Sequence, residues 1–173
     1  MKHMEAYSKL AEFGRELLKR TSMEQALPMI ADYAKQVIDA ERCSIYIYNS
    51  KLNLVWTTLA DQMEKIMLHA DEGIVGHTIQ TGRPHIANDP YHDEHFLATI
   101  DQKSGFKTRN IASAPIFDSN RYVIGVIQLL NKKGGDFDSD DLRFITFFAH
   151  YVSGYLELAS LFSDDEAFLY KHD

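Results

Sequence analysis

At 173 residues and 45% hydrophobic content, the chain has the length of one soluble domain burying about 70% of its unfolded surface. A formal charge of −7 and a pI near 5.6 argue against general binding to nucleic acid or anionic membranes, which needs a basic face. Cys43 is the only cysteine, which excludes a disulfide framework and a cysteine-rich metal site. No apolar run reaches the ~20 residues of a membrane span, and MKHMEAYSKL lacks a signal-peptide core, so the expected location is a reducing cytoplasm.

Residues 4–19 read as a helix, with Leu10, Phe13 and Leu17 at three- and four-residue spacing. Thr21 or Ser22 offers an N-cap for a second helix running to about Asp39, with Leu27, Ile30, Ala34 and Val37 on one face. Pro28 lies too far in for a first-turn proline, which places the start later or bends it. Residues 43–48, 54–60 and 65–69 have strand composition and short connections, the pattern of an antiparallel meander. Residues 73–80 read as a short helix stopped by TGRP, and His85–Ala87 as a short strand.

From Asn88 to Ile100 the chain is polar, with room for one or two helical turns, and DQKSGF follows as an irregular segment. A connection this long between strands is a common place for function. Ile111–Phe117 and Tyr122–Leu130 then form a hairpin. Alternation puts Ile124, Val126, Gln128 and Leu130 on one face and Val123, Gly125, Ile127 and Leu129 on the other. Both faces are apolar, which predicts helices on one side and a loop-covered pocket on the other. Gln128 is the exception, and a lone amide in so apolar a run needs a protein, water or ligand partner.

The last helix starts near Ser139, where Asp140 and Asp141 suit the positive end of the helix dipole. It carries two apolar stripes. Leu142, Ile145, Ala149, Val152, Leu156 and Ala159 form one; Phe144, Phe148, Tyr151, Tyr155, Leu158 and Phe162 form the other. One stripe can pack on the sheet, and the second needs the N-terminal helix or another subunit.

Four stretches in order resemble a GAF domain: GIVGHTIQTGRPHI (73–86), DQKSGFKTRNI (101–111), VIGVIQLLNK (123–132) and the Phe137…Asp141 ending. The resemblance spans about residues 40–161 and is greatest to the GAF domains of cyclic-nucleotide phosphodiesterases and adenylyl cyclases. It implies an α/β (α+β) fold with a central antiparallel sheet of about five to six strands. Terminal helices would cover one face, with pocket loops and short helices on the other. One domain, 1–173, would then comprise N-terminal helices (1–39), sheet and pocket loops (40–138), a C-terminal helix (139–163) and a tail (164–173). Asn131, Lys132, Phe137 and Asp141 match a signature of that subgroup; Leu142 stands where its final Glu would be. By the resemblance Lys132 and Asp141 form an ion pair holding the strand end against the last helix.

Asp101, Ser104 and Thr108 form a carboxylate-and-hydroxyl trio that can read the edge of a polar ring or cap turns. The resemblance places Asp101 and Thr108 at nucleotide-contacting positions, and Ser44, Ile74, Val75 and Gln128 at ligand-lining ones. Leu59, Ala60 and Leu97 replace the aromatic, acidic and aromatic residues of those relatives, and Gln128 replaces a pocket Glu. His92 and His95 of the HDEH run read as surface residues, and His77 as helix packing. Cys43 reads as a buried thiol with no resolving partner, unlike the three-cysteine methionine-sulfoxide-reductase type. The KTRN and NKK clusters read as solvated loop ends or one local positive site. No nucleophile–base pair, Walker motif or HExxH occurs, so the chain is not expected to be an enzyme. The reading is a sensory or regulatory small-molecule-binding module of a signalling protein, with cAMP or cGMP as ligand. It would dimerise through its terminal helices and drive an output domain elsewhere in the parent protein. The alternative is a ligand-free dimerisation module.

Overall fold

The computed structural model describes residues 2–19, 23–58, 65–97 and 105–162. The apolar spacing of the N-terminal segment produces α1 (Lys2–Leu18), which buries Leu10, Phe13 and Leu17. α2 (Met23–Ile38) keeps Pro28 inside it and buries Leu27, Ile30 and Ala34. Val37, expected on that face, is 45% exposed, and Ile38 is buried instead. Ile38 lies four residues beyond Ala34, on the stripe's own side of the helix, whereas Val37 has rotated past its edge. Asp39 then adopts a left-handed conformation (φ 61°), and its carbonyl accepts the Lys133 N–H at 2.8 Å. This ends α2 and ties it to the sheet. The expected caps Thr21 and Ser22 lie outside the described residues.

Strands β1 (Ala40–Asn49), β2 (Leu54–Thr58) and β3 (Lys65–His69) form the expected antiparallel meander. Helix α3 (Gly73–Thr81) stops at Gly82, left-handed at φ 62°, and β4 (His85–Ala87) follows. A single 3-10 turn (Pro90–His92) is the helical content of the 88–97 segment. The hairpin is β5 (Ile111–Phe117) and β6 (Val123–Lys132), and α4 spans Ser139–Phe162. The six strands run in the order β3-β2-β1-β6-β5-β4, each neighbouring pair antiparallel.

Alternation along β1 and β6 sorts the two faces. Cys43, Ile45, Ile47, Ile127 and Leu129 point into the cluster shared with α1, α2 and α4, while Tyr46 and Val126 point the other way, toward Val75 of α3. Ile124 breaks the expected alternation and packs on the helix-side cluster. The register explains it: Val123 pairs with Phe117 and Gly125 with Ile116, so Ile124 is the extra residue of a β-bulge.

On α4, Ile145, Ala149, Val152 and Leu156 are buried against the sheet. The second stripe is partnered in part by α1 and α2. Phe148 is fully buried, with its ring 5.7 Å from Phe13 and 5.3 Å from Tyr33, and the Tyr151 hydroxyl donates to the Leu10 carbonyl at 3.1 Å. The side chains of Leu158, Ala159 and Phe162 lie outside the described set. The α4 start is a reciprocal cap: Asp141 N–H donates to the Asp138 carboxylate and Asp138 N–H to the Asp141 carboxylate, each at 2.9 Å.

β1 and β6 are the sheet's central pair, and Gly125 is where they meet most tightly. A Cβ there would stand 2.5 Å from the Tyr46 carbonyl oxygen, a backbone atom that cannot swing aside. Gly125→Ala is expected to lower unfolding stability by about 1–3 kcal/mol in a urea titration. An unchanged midpoint would mean that the two central strands have room to separate.

Candidate functional site

On the face opposite the helix layer, a row of small polar side chains crosses the sheet. Ser44 of β1 is in register with Gln128 of β6, Gln128 with Ser113 of β5, and Ser113 with His85 of β4. Ser44, Gln128 and Ser113 are only 2%, 6% and 0% exposed. Ser113 is partnered: its hydroxyl lies 2.9 Å from that of Thr78 on α3, and Thr78 donates to the Ile74 carbonyl at 2.8 Å. With Thr78's one proton committed to Ile74, Ser113 is the donor of the pair. Among the described residues, the Ser44 hydroxyl and the Gln128 amide make no side-chain hydrogen bond, and neither is a fully sealed polar atom.

α3 lies on this floor. Ile74 packs with Ala87 and Ile111, and Val75 with Tyr46, Val55 and Val126, so both expected ligand-lining residues are engaged by protein side chains. Gly73 begins the helix at φ 69°, with Leu97 of the covering segment beside it.

The other wall is residues 105–110, held by one buried amide. Asn131, 2% exposed and left-handed at φ 59°, accepts the N–H groups of Arg109 (2.6 Å) and Asn110 (3.4 Å) on Oδ1. Its Nδ2 donates to the Lys107 carbonyl (2.9 Å) and to Glu41 (3.1 Å). Asn110 reciprocates: its Oδ1 accepts the Lys132 N–H at 2.9 Å and its Nδ2 donates to the Gly135 carbonyl at 3.1 Å. Thr108, between these anchors, is buried at 3% exposure. Arg109 reaches Glu41 at 2.8 Å, and the Arg42 guanidinium lies 3.9 Å over the Phe106 ring.

Lys132 pairs with Asp141 at 2.5 Å, with 21% and 13% of their side chains exposed, and so clamps the end of β6 to the start of α4. The Asp141 hydrogen bond, and then its charge, hold Lys132 above the usual lysine pKa despite partial burial. Phe137 is buried between them in sequence, and Asn88 spans its backbone, accepting its N–H at 2.9 Å and donating to its carbonyl at 3.1 Å.

A cleft of about 500 Å³ opens where the two covering segments face each other, lined by Asp89, Pro90, Tyr91, Lys107, Thr108 and Arg109. Of the ligand residues expected from the sequence, Thr108 lines this cleft, while Ser44 and Gln128 belong to the sheet floor. Asp101, Ser104, Leu59 and Ala60 lie outside the described residues. A larger groove of about 760 Å³ runs between Pro84, Phe117 and α4, and none of the expected site residues lines it. Glu41, Asn88, Asn110 and the Thr78–Ser113 pair carry polar connections that sequence reasoning passed over. Small polar residues at strand edges are common enough to give no separate signal.

HDEH does not act as a unit. His92 is exposed and pairs with Asp89 at 2.8 Å, whereas His95 stacks on His77 with ring centroids 3.7 Å apart. His77 is thus packed against other imidazoles as well as on its own helix. Cys43 faces the helix-side core, and burial raises its thiol pKa well above the usual range.

Residues 22–156 match the sequence profile of the GAF domain family. The chain belongs to this family, a general sensory and regulatory module of signalling proteins. The GAF domain is 28% identical over 155 residues to the probable 3′,5′-cyclic phosphodiesterase pde-5 of Caenorhabditis elegans, a match covering 82% of this chain and 21% of that protein. The chain therefore spans about a fifth of that relative's length. Its fold is similar to the GAF domain of a phosphoenolpyruvate-protein phosphotransferase from Coxiella burnetii (TM-score 0.78, 16% identity, 91% of this chain and 96% of that one). The corresponding Acinetobacter domain gives a TM-score of 0.73 at 18% identity, over 90% and 94% of the two chains. A free methionine-R-sulfoxide reductase from Neisseria meningitidis shares the fold at TM-score 0.71 and 16% identity, over 88% of each chain. At these identities the likeness is one of fold. No helix among the described residues is long and apolar enough to cross a membrane.

Two outcomes check the site's construction. Asn131→Ala leaves buried backbone groups of the 107–110 loop without partners and is expected to cost about 3 kcal/mol in chemical denaturation. A loss under about 0.5 kcal/mol would show that water replaces the amide. Cys43 should not react with a thiol-specific disulfide reagent at pH 8 in the folded protein and should react fully in guanidinium, because only the exposed thiolate is nucleophilic.

Proposed function

We propose that this GAF domain binds a small polar effector between the Ser44–Gln128 floor and the segments 88–97 and 105–110, with cAMP or cGMP as the ligand. The observation that carries the reading is the Gln128 amide: largely buried, centred in an apolar strand and, like Ser44 beside it, without a side-chain hydrogen bond among the described residues yet not sealed off, so that water or ligand can reach it. Such groups cost stability unless water or ligand completes them. Similarity to a protein named as a probable 3′,5′-cyclic phosphodiesterase favours a cyclic nucleotide, and Thr108 is in the lining of the cleft. In this reading Ile74 and Val75 shape the ligand wall, Asp101 and Ser104 complete it, and Asn131, Lys132, Phe137 and Asp141 support it.

The domain acts as a regulatory part and not as an enzyme, in the cytoplasm, without nucleic-acid or membrane partners. Its output domain belongs to the parent protein, and ligand binding reaches it through α1 and α4. Coupling of this kind requires the two states to differ in ligand affinity. The second reading, a dimerisation module without ligand, is favoured by Phe147 and Tyr151 on α4, which are 50% and 38% exposed. Both readings place a homodimer on the terminal helices.

A thermal-shift titration separates them. Ligand that binds only the folded state adds about 2.7 kcal/mol at a hundredfold excess over Kd. A shift with cAMP or cGMP that is lost in Asp101→Ala and Thr108→Ala supports the sensor. Absence of a shift with both nucleotides removes that ligand assignment. A dimer in sedimentation that Phe147→Lys dissociates would then support the second reading.

A further inference from the structure

Three histidines from three different elements meet beside the site. His77 of α3 stacks on His95 with centroids 3.7 Å apart and an interplanar angle of 14°, and the His85 ring of β4 stands edge-on to His77 at 5.1 Å. Asp93 binds two of the three: its Oδ2 lies 2.8 Å from His85 Nε2, and its Oδ1 accepts the His95 backbone N–H at 2.9 Å. His95 and Asp93 belong to the 88–97 strap, so the cluster fastens the strap to α3 and β4. We propose that it is a pH-sensitive latch, which holds the strap down while His77 is neutral and releases it once His77 is protonated beside a second charged ring.

The charges around the cluster set this behaviour. α3, β4 and β5 carry no titratable side chain other than His77 and His85. On the strap the charged groups are Asp89, His92, Asp93, Glu94 and His95. Asp89 and His92 face each other at the exposed end of the turn, with side chains 71% and 83% exposed. Glu94 approaches His95 at 3.3 Å, but its side chain is 85% exposed and solvent-screened. Among the described residues Asp93, with a side chain only 16% exposed, is left as the one shielded counter-charge. It can offset one imidazolium; a second proton puts like charges on neighbouring rings.

The titration has a definite sign. Burial, then the neighbouring His95 and His85, hold the His77 pKa below the usual histidine value, against weaker pulls from Asp93 and Glu94. The docked ring therefore takes a proton less readily than the released one. Docking is full above the usual histidine range and is lost as pH falls from that range toward the depressed value. Burial works against the Asp93 carboxylate, yet the His95 N–H and the His85 ring bring its pKa below the usual aspartate value, so it stays charged throughout.

Two further ties among the described residues involve no histidine. Asn88 is bound to the Phe137 backbone, and Phe96 packs on the Ile74–Ala87–Ile111 cluster with Tyr91 edge-on at 5.0 Å. Release would thus start at 93–95 and swing about Asn88, moving Asp89, Pro90 and Tyr91, which form half of the 500 Å³ cleft. The latch is independent of which ligand the domain takes.

Hydrogen exchange of the strap amides, corrected for intrinsic rates, tests it in ligand-free protein at pH 7.5 and 5.5. Wild type should lose about tenfold protection over residues 93–97 on acidification, and His77→Phe, which keeps an aromatic stack but no proton, should stay within about twofold. Protection that is independent of pH in wild type, or an equal loss in His77→Phe, overturns the latch. Should that variant not fold, the wild-type ring titration decides by NMR. A His77 midpoint below that of free histidine supports the proposal; one at or above it overturns it.

Discussion

The Asn131 carboxamide stands where a strand end, a loop and a distant carboxylate converge. Two backbone N–H groups, one carbonyl and Glu41 all use it, and the residue sits in a left-handed conformation that places it under the loop. Asparagine suits the position twice over. It tolerates positive φ better than most residues, and one planar amide offers both donors and acceptors. Without it, the Arg109 and Asn110 N–H groups and the Lys107 carbonyl would lose their side-chain partner. Asn110 and the Lys132–Asp141 pair extend the same connection to α4, so the loop, the sheet and the last helix share one polar junction.

The sheet divides its two faces by chemistry. The helix side is an apolar core in which Ile45, Ile127, Leu129 and Phe148 are essentially inaccessible. The other side carries two smaller apolar clusters separated by the Ser44–Gln128–Ser113 row. Hydrophobic burial supplies the bulk of the stability on the first face and frees the second for polar groups whose satisfaction is conditional. β6 contributes buried side chains to both.

Much of the architecture is legible in the chain. Short apolar runs bounded by turn residues mark β1, β5 and β6, and three- and four-residue spacing marks α1, α2 and α4, because composition and spacing follow which side chains each element buries. Failures occur where one residue shifts a pattern. Ile124 changes face because a bulge adds a residue to β6, and Val37 points outward because Ile38 continues the stripe. Of the expected site, Ser44, Thr108 and Gln128 are buried on the loop-covered side, Ile74 and Val75 are engaged in packing, and Asp101 and Ser104 lie outside the described residues.

The sequence by itself determined the order of elements and the two-faced character of β6, since both depend on local composition and periodicity, and four motifs in order carried the resemblance to the family. Only the tertiary structure decided what meets across long separations. Glu41 joins Asn131 and Arg109, Asn88 joins Phe137, and His77, His85 and His95 come together from a helix, a strand and a loop. Those meetings depend on how the sheet brings remote segments into register, and no property of any one segment encodes its distant neighbour.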